Sequence, residues 1–279
     1  MTFPILQKYL ERLSEVREVR GATGAASSIW LDHEGKAQGR FFNCTMSSAF
    51  QPIRQLDSGA VRAYEGLARS VSAQDQGLSL WKLLDHAASD DESIELDRLC
   101  RMLHAINFFR QAGEGSEDLF LNVHDRLLSA VSSNHGHAFR RILDALELPL
   151  ERVVLQLPAA SPQQGWLLNY VSDNYRRNGF RFAVNVQGAR VALHLLERLR
   201  PDVFKLDVRD LQDGHDVLGL LKRSAEAGVK VVFKRLETPQ ALTVLRQLGE
   251  SAGVPLLAQG YLLDEPHAQL LAPERQAAA

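Results

Sequence analysis

The stretch "AFQPIRQLDSGAVRAYEGL", residues 49–67, decides the fold. Ala49–Ile53 and Val61–Leu67 each read as a short, mostly apolar β-strand, and "LDSG", Leu56–Gly59, is a turn that joins them as an antiparallel hairpin. Beyond the hairpin, the runs Leu119–Val123, Arg152–Leu157, Phe180–Val186, Val203–Leu206, Val229–Phe233 and Leu256–Ala258 continue as candidate strands. Between them the apolar residues recur at helical spacing: Leu96, Leu99, Leu103 and Ile106; Leu218, Leu221 and Ala225; Leu242, Leu245 and Leu248. Strand and helix alternating about six times mean a parallel sheet. At 279 residues the pattern fits one closed barrel better than two open sheets. The expected fold is an α/β, TIM-type βα-barrel over residues 44–279, with an antiparallel first strand contributed by the hairpin.

Residues 1–43 stand outside this rhythm and are read as an N-terminal helix and hairpin extension. Phe3, Leu6, Leu10, Leu13 and Val16 form one face of a helix, with Lys8, Glu11, Arg12 and Glu15 opposite. A Gly/Ala/Ser stretch, "GATGAASS", follows, and "IWLDHEGKAQGRFF" then reads as a small hairpin around "HEGK". The helix either caps the barrel or presents a partner surface, and capping is the simpler reading.

Composition removes several classes. Hydrophobic residues make up 45% and charged residues 24%, as in ordinary soluble domains. A formal net charge of −2 does not supply the broad basic surface of a DNA-binding protein. Cys44 and Cys100 make neither a disulfide framework nor a zinc pattern, which fits a reducing compartment. The opening residues mix charges through their apolar positions, unlike a signal peptide or a membrane span, so a cytoplasmic protein without membrane contact is expected. "HGH", His135–His137, lacks a third ligand for a metal. His104 and His194 fall within helical patterns and are expected to be partly buried. No nucleophile elbow or phosphate-binding glycine loop occurs.

In a βα-barrel, chemistry gathers where the strands end. Those positions hold Glu65 and Arg69 in "YEGLAR"; Asn122 in "FLNVH"; and Gln156 in "VLQLP". They continue with Asn185 and Val186 in "RFAVNVQGAR", Lys205 and Asp207 in "FKLD", Lys234 in "VVFKRLET" and Gln259 in "LAQGYLL". Glu65 is the clearest carboxylate among several cations.

In that order, "FQPIRQLDSGAVRAYEGLAR", "LFLNVH", "VFKLD", "LETPQAL" and "LAQGYLLDEP" resemble the EAL domains, the bacterial cyclic-di-GMP phosphodiesterases, over about residues 45–268. The resemblance implies a barrel with an antiparallel first strand. It also implies phosphodiester hydrolysis by a water activated between two divalent ions, which are held by carboxylates and an asparagine. Glu65 matches the family's signature glutamate, Asn122 its asparagine ligand, Lys205 the lysine near the nucleophilic water, and Gln259 a polar site residue. Gln51 and Arg69 match positions that hold the nucleotide.

The remaining positions depart from the family. E-x-T-E becomes "QLPA", which places Gln156 and Ala159 at the two glutamates. D-D-F-G-T-G becomes "NVQGAR", with Asn185 and Val186 replacing both aspartates. The first glutamate of A-E-G-V-E-T is Lys234, and "DEP" replaces S-R-P, putting Glu265 where an arginine is common. One carboxylate and two lysines stand where the family carries five carboxylates and one lysine. At about 4 Å and an effective dielectric near 20, each lost ion–carboxylate contact forfeits several kcal/mol.

The expectation is therefore a chain without catalytic residues, metal or cofactor, acting in a bacterial regulatory pathway by binding a protein partner. A metal-independent cyclic-di-GMP receptor is the alternative. In that case Gln51, Glu65, Leu67, Arg69, Asn122, Lys205, Asp207, Lys234 and Gln259 would form the ligand site. An active phosphodiesterase with displaced ligands ranks last. Each retained residue also has a plain structural reading: Glu65 could pair with Arg69, Asn122 could satisfy backbone groups, and Lys205 and Asp207 could pair with neighbours. The oligomeric state stays open.

Overall fold

The computed structural model describes residues 3–20, 29–42, 44–71, 89–113, 115–124, 136–159, 165–211 and 214–271. The "GATGAASS" stretch and His135 lie outside the described residues. Helix α1 (Pro4–Arg20) leads to β1 (Ile29–Leu31) and β2 (Ala37–Phe41), which form the expected small hairpin with Trp30 opposite Gln38. The long hairpin follows as β3 (Cys44–Gln55) and β4 (Val61–Val71), with Gln51 opposite Glu65 and a register shift at Ile53/Arg54.

The chain then alternates as read from the sequence: α2 (Asp90–Phe109), β5 (Asp118–Asn122), α3 (His137–Ala145), β6 (Val153–Leu157), α4 (Gly165–Arg177), β7 (Arg181–Val186), α5 (Ala189–Arg198) and β8 (Val203–Asp207). It closes with α6 (Gly214–Glu226), β9 (Lys230–Lys234), α7 (Pro239–Ala252) and β10 (Leu257–Ala258). From β4 through β10 every neighbouring pair is parallel. Strand β3 is antiparallel to both β4 and β10, and so closes the ring. The result is a TIM-type barrel with an antiparallel first strand.

Local chemistry sets several of the helix ends. The side chain of Ser89 accepts from the Glu92 amide at 3.3 Å while the Glu92 carboxylate accepts from the Ser89 amide at 2.7 Å, a reciprocal cap that starts α2. Thr238 caps α7 just before Pro239, and Gly253 ends that helix at φ +68°, a left-handed conformation that favours glycine.

Side chains alternate between the two faces of each strand. Leu119, Leu121, Val153, Leu155, Phe182, Val184, Phe204, Leu206 and Phe233 are buried in the core that also takes the helices' apolar residues. Ile53, Ala63, Phe120, Val154, Ala183, Val203 and Val232 form a second, separate apolar cluster, with Leu257 packed against it. Two residues further along each parallel strand, on the same face, stand Glu65, Asn122, Gln156, Asn185, Lys205, Lys234 and Gln259. On the antiparallel strand Gln51 precedes Ile53 by the same step. An apolar plug thus lies under a polar layer, and the polar layer is at the C-terminal end of the strands.

The N-terminal segment joins this architecture directly. Leu6 and Leu13 of α1 are buried in the main core, and Phe3 meets Phe109 edge to face at 5.3 Å. Strand β2 pairs antiparallel with β3, and Asn107 on α2 holds both backbone groups of Ala37 at 2.8 Å. The sheet is continuous across the boundary expected after residue 43.

Of the two helical histidines, His104 is buried but His194 is exposed, contrary to expectation. Helix α5 turns Ala189, Ala192 and Leu196 inward, which leaves His194 on its outer face. His104 shares a hydrogen bond of 2.7 Å with Ser48, and burial, aided by the charge of Arg69, pulls it down to about 3. Its ring fills the space beside Gly66, where a Cβ would come within 2.9 Å of its Cγ. Gly66 stands where the resembled motif has alanine, so glycine and buried imidazole complement each other. Gly66→Ala should destabilise the fold by about 1–3 kcal/mol through overpacking. In urea denaturation, the added His104→Ala change should make the double variant lose less than the sum of the two single losses.

Candidate functional site

The polar layer converges on Lys205, which has no solvent exposure. Its ammonium carries three N–H donors, and each has an acceptor. They are Glu65 Oε2 at 2.8 Å, Gln156 Oε1 at 2.8 Å and Gln259 Oε1 at 2.9 Å. Glu65 in turn accepts from Gln259 at 2.6 Å on Oε2, and from Asn122 at 2.8 Å and Gln156 at 3.4 Å on Oε1. The amides close the network: Gln156 donates to Asn122 at 2.8 Å, and Gln259 donates to Gln51 at 3.1 Å. Gln51 donates to the backbone carbonyl of Asp264 at 3.1 Å. Below, the ring of Phe120 in the apolar plug lies 5.5 Å from the ammonium.

Burial alone would push the Glu65 carboxyl up. The charge of Lys205, with hydrogen bonds from Lys205, Asn122 and Gln259, overrides it and holds the group at about 2. Burial pulls Lys205 below the usual lysine value, against the opposing pull of Glu65. Glu65 is therefore ionised and internally neutralised at neutral pH.

Above this layer opens a cavity of about 450 Å³. Gln51, Glu65, Leu67, Asn122, Lys234 and Gln259 of the sequence-derived set line it, together with Gln156 and Asn185. Lys205 lies beneath the floor. Asp207 faces elsewhere: it accepts from Arg209 at 2.7 Å and from Arg235 at 3.0 Å. Arg69 is exposed and donates to the carbonyl of Ala68 at 3.0 Å; the partner of Glu65 is Lys205. Arg235, Glu237, Gly260 and Tyr261 also line the mouth, although sequence reasoning passed over them. The available signal was their position just after the ends of β9 and β10. Arg235 holds a left-handed backbone at φ +60°, uncommon for a side chain with a Cβ. A Cβ on Gly260 would collide with the backbone of Leu236, so the two loops pack as closely as glycine allows.

Two divalent ions of the hard type require several anionic oxygens. Both oxygens of Glu65 already accept two donors each. The side-chain oxygen of Asn185 accepts from Lys234 at 2.7 Å, which puts an ammonium in the mouth itself. Asn185 donates in turn to the Leu157 carbonyl at 2.9 Å. Among the described residues, no group of three or more His, Cys, Asp or Glu side chains is gathered to hold a metal. The donor set does not fit a two-metal centre.

Residues 35–266 match the EAL domain family. The chain belongs to that family. Its barrel resembles the manganese and cyclic-di-GMP complex of Klebsiella pneumoniae BlrP1, with a TM-score of 0.65, 22% identity, and coverage of 82% of this chain and 58% of that one. Bacillus subtilis YkuI, an EAL protein in complex with cyclic-di-GMP and calcium, gives a TM-score of 0.66 at 21% identity, covering 82% and 57%. The cyclic-di-GMP-bound EAL domain of Pseudomonas aeruginosa FimX gives 0.63 at 22% identity, covering 80% and 91%. The chain thus spans less than three fifths of BlrP1 and YkuI. No curated protein matches it in sequence. Among the described residues, no helix of this EAL domain is long and apolar enough to cross a membrane.

Removing the cation tests the network. Lys205→Met leaves a buried carboxylate without its partner and should cost about 3–5 kcal/mol in urea denaturation, with much of that recovered in Lys205→Met/Glu65→Gln. Because the folded-state value of Glu65 lies below its ordinary 4.5, its stabilisation is present above that pH and is lost as pH falls toward about 2. Across that window the wild type should lose stability more steeply than Glu65→Gln.

Proposed function

We propose that this EAL domain is catalytically silent and acts in a cytoplasmic bacterial signalling pathway by binding a protein partner. One observation carries the reading: Lys205 and three amide side chains already occupy the oxygens of the site's central carboxylate, Glu65. Hydrolysis by metal-activated water needs oxygens free to bind the ions and charge enough to offset their dehydration. BlrP1 and YkuI hold cyclic-di-GMP together with manganese or calcium, and the donor set here does not support that combination. With its chemistry gone, the barrel serves as a folded platform, and its output is association.

A second reading is favoured by the mouth itself. The cavity of about 450 Å³ keeps Gln51, Leu67, Asn122 and Gln259 on its wall, with Lys234 and Arg235 able to place positive charge against phosphate where a metal would otherwise stand. That arrangement suits a metal-independent cyclic-di-GMP receptor.

Incubation of cyclic-di-GMP with the protein and Mg²⁺ or Mn²⁺ should release no linear dinucleotide, and its appearance would overturn the silent reading. Calorimetric titration without metal then separates the two modes. Absence of heat supports the protein-binding platform. Saturable binding that Lys234→Ala weakens at least tenfold supports the receptor.

A further inference from the structure

At the opposite end of the barrel, where the parallel strands begin, lies a larger cavity of about 580 Å³. The apolar plug, from Ile53 to Val232 around the ring, separates it from the mouth. Strand starts in such barrels ordinarily serve stability, and the lining here is of another kind. Its wall includes Leu221, Val229, Val231, Val254, Pro255 and Leu257, drawn from the ends of α6 and α7 and from β9 and β10. Three cations, Arg62, Arg181 and Lys230, share that lining with one carboxylate, Asp118.

The charges do not cancel. Asp118 pairs with Arg181 at 2.5 Å, which leaves that pair neutral. The Nε of Arg181 is buried and has no hydrogen-bond partner. Arg62 donates to the neutral Gln55 at 2.8 Å, and among the described residues neither Arg62 nor Lys230 forms an ion pair. Asp202, at the same end, accepts from the Phe182 amide at 2.9 Å. The cavity therefore combines an apolar wall with two exposed cations, Arg62 and Lys230, at a volume in the range of small-molecule sites.

We propose that this lower cavity is a binding site for a small amphiphilic anion. Its ligand has an apolar body against Leu221, Val231 and Leu257 and a single carboxylate or sulfonate head in the positive field of Arg62 and Lys230 at the rim. The burial of the body supplies affinity, and the two cations fix orientation and exclude neutral or cationic analogues. The site is independent of the mouth, because no polar residue of the upper layer lines it.

Anilinonaphthalene sulfonate, an apolar body with one anionic head, is the probe. Added to the full chain under conditions where circular dichroism reports the folded protein, it should fluoresce saturably at one site, and decanoate should displace it. Arg62→Glu/Lys230→Glu should weaken binding at least tenfold. Ala225→Phe, which fills the cavity from an exposed position on α6, should do the same without reversing any charge. Lys234→Ala, in the mouth, should leave binding unchanged. No saturable signal, no displacement by decanoate, or equal binding by the charge-reversed or cavity-filled variants would overturn the proposal.

Discussion

A lysine sealed from water must find an acceptor for every proton it carries, and an opposite charge close by. Lys205 imposes that demand at the centre of the barrel. Glu65 answers it from β4, Gln156 from β6 and Gln259 from the loop after β10. Satisfying Glu65 then engages Asn122 on β5, and satisfying Gln259 engages Gln51 on β3. One ammonium thus ties together strands far apart in sequence. A buried ion pair is weak evidence for net stability, because both charges had to leave water. A fully satisfied polar network is instead strong in the arrangement it permits, since each broken link strands a buried polar group.

The same network supports the proposal that this domain keeps the fold without the chemistry of metal-activated water. Gln156, Asn185, Val186 and Lys234 stand where the resemblance implies carboxylates, and Glu65 pairs with the internal cation Lys205. Amides suit this role because each offers both a donor and an acceptor, so Gln156 and Gln259 can bridge Lys205 and Glu65 at once. The apolar plug beneath closes the network off from the end of the barrel where the parallel strands begin. Fold and activity are separable properties of such a scaffold.

Much of this was legible in the residues. The LDSG hairpin, the strand–helix alternation and the period of two along each strand were enough to place the barrel and its antiparallel strand. They also placed Glu65, Asn122, Gln156, Lys205 and Gln259 at strand ends on one side. Less legible was which polar groups meet. Arg69 and Glu65 share a strand and looked like partners, but Lys205 reaches Glu65 from across the barrel. Asp207 follows Lys205 on the same strand by two residues, yet its carboxylate turns to Arg209 and Arg235. The bidentate pair of Arg54 with Asp264, at 2.7 and 2.9 Å, joins residues too distant in the chain for any local pattern to announce. His194 shows the limit of helical spacing: the pattern located the helix, and the packing of Ala192 and Leu196 decided which face was wet.

The sequence by itself determined the class of fold and the scarcity of carboxylates at the strand ends, because strand periodicity and side-chain charge are local properties that any reader of the chain can see. Only the tertiary structure decided what Glu65 does. A carboxylate, a lysine and three amides spread over some two hundred residues meet only when the ring closes. Burial at that point makes every unmade hydrogen bond costly, and so selects one arrangement among the many that their chemistry would allow.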